Sequence, residues 1–425
     1  MAFAQPRILY GVPFYTMDGQ GTVVECVVTA GGRILFSGSA EEAVRRFPRA
    51  EREELQLGCV VPGFVDAHIH LKAYSLVYRD IDLTGAADPG EALERVKKAA
   101  SSKKEGEWIR GGGVEERLLR SLGRRELDEA APQSPLVLFN ADLRAALANT
   151  PALSLAGIDE HRRDPLGGSI ERDPGGAPTG VLRERALELV RGAMPAQSGG
   201  EVDHAVERGI RSLLSRGITC VCDCSSNPGD SPVSSIMKLW HRDRLELRAV
   251  LMFGEQESSR LGVLGFPSRF GDERVRIGGC KLLADGSLAS RTGLMSRPYR
   301  GEETTGMQLM GEDELYEAMR RLYTRYLWTA VHAVGDRANR TVLNAYERLR
   351  RDRGMPRLLM RVEHAQALQD EEVQRFASLG VFAVGNPALI PQDRAYAIRF
   401  LGTEAGLLHR FGSLMEAGAR LAFGS

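Results

Sequence analysis

The sequence predicts an α/β protein, a (β/α)8 barrel of the TIM type with a small β-sandwich flanking it, and three observations lead there. From Cys59 onward, short β-type runs alternate with longer stretches of helical periodicity, the signature of parallel βα units. Histidines fall at the ends of three of those runs, where barrels carry their chemistry. Before Cys59 the texture differs: RILYGVPFY, TVVECVVTA and RILFSG are separated by turn residues and followed by one helical run, AEEAVRRF. Two domains are therefore expected, residues 1–58 as part of a β-sandwich and residues 59–425 as the barrel.

A chain of 425 residues exceeds what one hydrophobic core usually organises, which suits a large barrel with an appendage. Its 56 basic residues match its 56 acidic ones, so neither a nucleic-acid-binding stripe nor a polybasic membrane patch is expected. No apolar run approaches the roughly 20 residues that span a bilayer. The N-terminus lacks the charged start and apolar stretch of a secretory signal. Six irregularly spaced cysteines do not make a disulfide scaffold, in keeping with a reducing, cytoplasmic location. The expected partner is a small molecule, with no nucleic acid and no membrane, and a homodimer is left open.

The expected barrel strands are VVPGFVDAH (60–68), TCVCDC (219–224), RAVLMF (248–253), GCKLLA (279–284), TAVHAV (329–334), MRVEHA (360–365), VFAVGN (381–386) and RLAFGS (420–425). Between them, GEVDHAVERGIRSLLSRG, GEDELYEAMRRLYTRYLW and RANRTVLNAYERLRRDRG carry apolar residues at three- and four-residue spacing, as outer barrel helices require. Residues 76–200 break the rhythm and read as an insertion that could lend the barrel one strand. Within it, Gly111, Gly112 and Gly113 lack the spacing of a phosphate cradle and read as a loop. The Gly/Ser/Arg-rich stretch from Asp285 to Gly306 has the length of a loop that covers a site or stays disordered.

His68 and His70 leave the first strand two residues apart, so their side chains share a face and can converge on one ion. Imidazole suits zinc and similar ions, although an isolated His-x-His is as readily a packed or exposed pair. His332 and His364 each close an apolar β-type run, and neighbouring strand ends would put both in the same mouth. Lys281 interrupts an apolar strand. It either points outward with a solvated tip, or faces the interior, where it must be paired, coordinated or converted to a carbamate. Cys220, Cys222 and Cys224 share one strand face, which cannot wrap three thiolates around one ion, so buried neutral thiols are expected. His161, His204, His241 and His409 lie in polar or helix-patterned contexts and carry no assigned role.

With these residues in place, the chain resembles the amidohydrolase superfamily, and within it the amidohydrolase-3 branch that includes N-substituted formamide deformylases. The resemblance rests on VVPGFVDAHIHL, WIRGGGVEE, RRELDEAAPQSPLVLFNADLRAALANT, PTGVLRE, GCKLLADGSLASRT, AVHAVGDRA, RVEHAQ and GARLAFGS, in family order along nearly the whole chain. It implies one or two divalent metal ions, with zinc expected, held by His68, His70, a carboxylated Lys281, His332 and His364. It also implies attack by a metal-bound hydroxide on the C–N bond of a small amide, formamide or cyclic amide. Lys281, Asp285 and Asp336 are the candidate catalytic residues; Asp285, Asp336 and Glu184 could orient ligands or move protons, while Arg291 and Arg337 could meet an anionic group or simply form surface ion pairs.

Three departures from the family pattern stand out. The last-strand motif continues Gly-Ser-Asp in the family, with the aspartate binding metal and shuttling protons, whereas this sequence ends at Gly424–Ser425. Loss of a general acid/base typically costs about 10² to 10⁴ in rate, so a truncated record or gene fragment is expected, and a catalytically silent metal-binding scaffold is the rival reading. A native product heavier than 46.5 kDa would confirm truncation. Second, relatives often carry histidine two residues after the aspartate of Asp142-Leu143-Arg144. Third, Cys222 stands where they often show histidine before Asp223.

Overall fold

A computed structural model of the chain describes residues 5–425 except 57, 78–79, 141–144, 166–167, 196–197, 289–290 and 353–358. The chain divides into two compact units, Met1–Phe64 and Val65–Ser425.

In the first unit, β1 (Arg7–Tyr15), β2 (Val23–Ala30), β3 (Arg33–Gly38) and β4 (Glu51–Glu54) form one four-stranded sheet in the order β3-β2-β1-β4. The strands expected of a sandwich thus share a single sheet, and the helix Ala40–Arg46 packs on it. Ser39 caps that helix by accepting from Glu42 N at 3.3 Å, and Glu41, Glu42, Arg45 and Arg46 sit with the signs the helix dipole favours. Ile8, Cys26, Val28 and Ala43 are its buried core.

The second unit is built on an eight-stranded parallel sheet that begins with β5 (Phe64–Ile69). An insertion follows, with β6 (Ile81–Asp82), β7 (Ile109–Val114), β8 (Leu136–Asn140), β9 (Ala145–Ala148), β10 (Gly168–Arg172) and β11 (Pro178–Glu184). The barrel resumes with β12 (Ile218–Asp223), β13 (Arg248–Phe253), β14 (Val275–Leu283), β15 (Thr329–Ala333), β16 (Met360–His364), β17 (Phe382–Gly385) and β18 (Arg420–Phe423). All eight barrel segments are those the sequence named, in the order β5-β12-β13-β14-β15-β16-β17-β18. Ser425 N donates to His68 O at 3.0 Å, so the two outer strands meet and the sheet is nearly closed.

The insertion behaves otherwise than expected. It lends no strand to the barrel; its six strands make a separate sheet in the order β10-β11-β9-β8-β7-β6 with its own buried clusters. Gly111, Gly112 and Gly113 lie in β7 and not in a loop. Packing density explains the difference. A Cβ on Gly111 would sit 2.7 Å from Leu138 Cδ2, and one on Gly113, where φ is +81°, would sit 2.5 Å from Thr84 Oγ1. At Gly111 and Gly113 the neighbouring chain approaches too closely for a side chain.

Helices on the outside of the barrel bury one face each. The helix Asp336–Arg351 places Ala338, Val342, Leu343, Ala345, Tyr346 and Leu349 against the outer face of the sheet, at the spacing an amphipathic helix needs. Among the described residues no helix is long and apolar enough to cross a membrane.

Candidate metal centre

The pleat decides which side chains enter the barrel. Cys280, Leu282, Val331, Ala333 and Val362 face outward into the helix-packed core. Alternate residues on the same strands therefore face inward, which brings Lys281, His332, Arg361 and Glu363 to the interior. On β5 the same parity places Asp66 and His68 inside, since Ile69 packs with the outer helices. The structure thus settles the two readings of Lys281: it is buried, 5% exposed, on the inner face.

His364 would face outward by parity, because Glu363 faces in. It escapes the pleat through φ of +70°, followed by +42° at Ala365, a left-handed pair of residues at the end of β16. Such backbone is costly for residues bearing a Cβ and persists where surroundings over-determine it. The turn carries the His364 ring to 4.9 Å from that of His68 and 4.6 Å from that of His332, centroid to centroid. His68 and His70 are 5.5 Å apart on the same measure. Four imidazoles drawn from three strand ends meet at the carboxyl end of the barrel beside Lys281.

Each ring is held by one nitrogen. His68 Nδ1 pairs with Glu363 Oε2, His364 Nδ1 donates to Asn386 Oδ1 at 2.6 Å, and His70 Nδ1 lies 3.4 Å from Ser225 Oγ. His332 is turned the other way, with Nε2 donating to Gly286 O at 2.8 Å. One nitrogen per ring remains for the common centre.

Burial governs the charge state here. It pushes His332 down to about 3, with the Lys281 ammonium adding to the effect. His364 is held well below its ordinary value by burial and then by His332, His68 and Lys281. His70 has an exposed ring at the rim, yet crowding by the cluster, followed by the charges of His68 and Lys281, brings it to about 3. Burial also opposes charge on His68, but Cys224 and Glu363 beside it outweigh that and hold it above its usual range.

Asp285 and Asp336 are spent differently. Asp285 is fully buried and accepts from Leu294 N at 2.8 Å, Val334 N at 2.9 Å and Gly335 N at 2.8 Å, and it lies 3.7 Å from His332 Nε2. Burial raises its carboxyl to about 7 despite those three bonds. Asp336 accepts from Ser296 N at 2.7 Å and Gln369 Nε2 at 2.8 Å, tying the segment after β14 to the one after β16. Arg291 pairs with Glu302 at 2.6 Å and covers the Phe400 ring, while Arg337 is exposed. Glu184 ends β11, and its side chain, like the whole of residues 141–144, lies outside the described residues. The stretch from Asp285 to Gly306 is packed where described: Leu288, Leu294, Met295 and Tyr299 are buried.

Sequence reasoning passed over Glu363 and Arg361. Arg361 Nη2 bonds Glu363 Oε2 at 2.9 Å and Ala67 O at 2.7 Å, and its Nε pairs with Glu363 Oε1. A signal existed: two opposite charges, two residues apart, in an otherwise apolar strand. The donor atoms of His68, Cys224 and Glu363 lie within 4.8 Å of one another. Arg361 already neutralises that carboxylate, so the trio is the back of His68 and not a cation cage of its own.

The donor set fits a divalent ion. Metal–nitrogen bonds of about 2.0–2.1 Å put the rings of tetrahedrally arranged ligands about 5 Å apart, as these are. Three of the four are held neutral, the form that binds metal. Lys281, 5% exposed, sits in the wall of the cluster, where its charge is felt by His70, His332 and His364.

Comparison with known proteins agrees. A model of the amidohydrolase family matches residues 55–425. The chain is 31% identical to Protein LONG AFTER FAR-RED 3 of Arabidopsis thaliana, over 97% of this chain and 73% of that protein. It is 30% identical to N-substituted formamide deformylase of Arthrobacter pascens, over 88% of this chain and 71% of that one. Among solved structures, an uncharacterized metal-dependent hydrolase from Pyrococcus furiosus superposes with a TM-score of 0.74 at 28% identity, over 99% of this chain and 85% of that one.

Proposed function

The chain belongs to the amidohydrolase family, and from that premise we propose that it is a metal-dependent hydrolase that cleaves the C–N bond of a small amide, formamide or cyclic amide. One observation carries the reading: four imidazoles from three strand ends cluster beside a buried lysine on the inner face of the barrel. The formamide deformylase relative supports the choice of bond, and the Pyrococcus furiosus hydrolase supports the need for metal. Residues 59–425 carry the chemistry.

His68, His70, His332 and His364 would hold one or two divalent ions, with zinc suited to this nitrogen-rich set, and Lys281 as a carbamate would complete it. When bound, such an ion supplies Lewis acidity, polarising a carbonyl and lowering the pKa of a water to near about 7. The chain's own groups prepare the site. Burial keeps His332 and His364 neutral, with their lone pairs available at neutral pH. Asn386, Ser225 and Gly286 O fix ring orientations, so little is reorganised on binding. Asp285 and Asp336 act by position: the first anchors the chain just after His332, and the second ties together two segments that follow barrel strands.

The test is turnover of a panel of small amides, N-substituted formamides included, by protein of known metal content. Exhaustive chelation should abolish turnover and readdition of zinc should restore it, and His68→Ala should lose both metal and activity. Turnover that survives chelation would sink the proposal.

A further inference from the structure

The Arg361–Glu363 pair crosses the barrel. β16 and β5 are not neighbours in the sheet, since β17 and β18 separate them on one side and four strands on the other. Yet Arg361 reaches Ala67 O at 2.7 Å, the carbonyl of the residue before His68, and Glu363 Oε2 pairs with His68 Nδ1. One guanidinium therefore grips the backbone of β5 while gripping, by two bonds, the carboxylate that grips the ring. Its remaining edge meets Cys222 Sγ at 3.5 Å.

We infer that Glu363 and Arg361 are positioning residues of the metal centre: Glu363 holds His68 in the Nδ1–H tautomer with Nε2 aimed at the ion, and Arg361 holds that carboxylate in place. The inference rests on the metal-dependent reading of the site. Its physical content is the choice of tautomer. A neutral imidazole has one donor and one acceptor nitrogen, and whichever nitrogen gives its hydrogen to a carboxylate leaves the other as the ligand. Glu363 is fully buried, and Arg361 fixes it in place by pairing with both of its oxygens while holding the backbone beside His68. The pair is also where two charges in an apolar strand find their reason: the side chains are 14% and 0% exposed, and each leaves the other uncompensated if removed alone.

The experiment compares wild type with the double variant Arg361→Met/Glu363→Gln, which removes both charges together, and with Glu363→Asp, which keeps the charge for Arg361 and withdraws the oxygen from His68. Metal-free protein labelled with nitrogen-15 histidine reports ring tautomers by NMR, with His68→Ala assigning the resonance. At a pH high enough for the ring to be neutral, wild type should show His68 fixed as Nδ1–H; both variants should show a mixture with Nε2–H. Zinc dissociation constants, measured by competition with a chromophoric chelator, should rise about 10- to 100-fold. A folded variant in which either the tautomer or the zinc affinity matches wild type would overturn the inference. Should the double variant fail to fold, Glu363→Asp decides. Failure of wild type to bind zinc would remove the metal-dependent reading alone, because the tautomer measurement needs no ion.

Discussion

His364 donates from Nδ1 to Asn386 Oδ1 at 2.6 Å, joining the ends of β16 and β17 at the point where the backbone of β16 leaves the pleat. That bond helps to hold in place a left-handed residue that its own chain geometry disfavours. Asn386→Ala removes the acceptor and leaves the ring free to rotate. Zinc affinity is expected to fall about 10- to 100-fold by chelator competition. Unaltered affinity would mean that packing alone orients His364.

Lys281 makes a two-sided prediction. The side chain is 5% exposed on the inner face of the barrel, where its charge lies beside His70, His332 and His364 and helps to keep them neutral, so it costs stability in the metal-free protein. Lys281→Met should therefore keep or raise the thermal midpoint of metal-free protein while abolishing turnover. In wild type, carbon-13 bicarbonate with zinc should yield a carbamate resonance that the variant lacks. A stable variant with full activity would exclude Lys281 from the chemistry.

Asp223 should tilt the pH dependence of stability. Its carboxylate accepts from Leu71 N at 2.8 Å and Ser225 N at 3.1 Å, yet burial raises it from 3.8 to about 6. Between those values the native state holds a proton that the unfolded chain has lost. The contribution is therefore fully present below 3.8 and lost as pH rises through about 6, amounting to roughly 3 kcal/mol at most. Urea unfolding of metal-free Asp223→Asn and wild type between about pH 4 and pH 7 measures it. The difference between them should change across that window; a constant offset would refute the assignment.

Gly113→Ala should destabilise the insertion. A Cβ there would lie 2.7 Å from Thr84 N, a backbone atom that cannot turn aside, at a φ of +81°. The expected loss is about 2–3 kcal/mol, from strain and overpacking together. Thermal unfolding reads it, and zinc content should be unaffected because this glycine belongs to a different sheet from the barrel.

Much of this was legible in one dimension. The eight barrel strands stand out because β-type runs punctuated by turn residues alternate with helices of clear periodicity, a pattern each segment carries locally. His68 and His70 share a face by spacing alone. Arg361 and Glu363 were missed because a charged residue in a sequence is ordinarily a solvated one, and only their common inward parity turns them into a pair. Gly111 to Gly113 were misread for a related reason: a glycine run looks like a turn until Ile81, Thr84 and Leu138 are seen pressed against it.

By itself the sequence determined the type and order of the elements and the side chains rich enough in chemistry to form a site, since both depend on short-range periodicity and residue identity. Tertiary structure alone decided that Lys281 faces inward, that His364 leaves the pleat to meet His68 and His332, and that the insertion folds as a sheet of its own. These depend on which strands become neighbours and on how closely they pack, relations between residues hundreds of positions apart that no local pattern encodes.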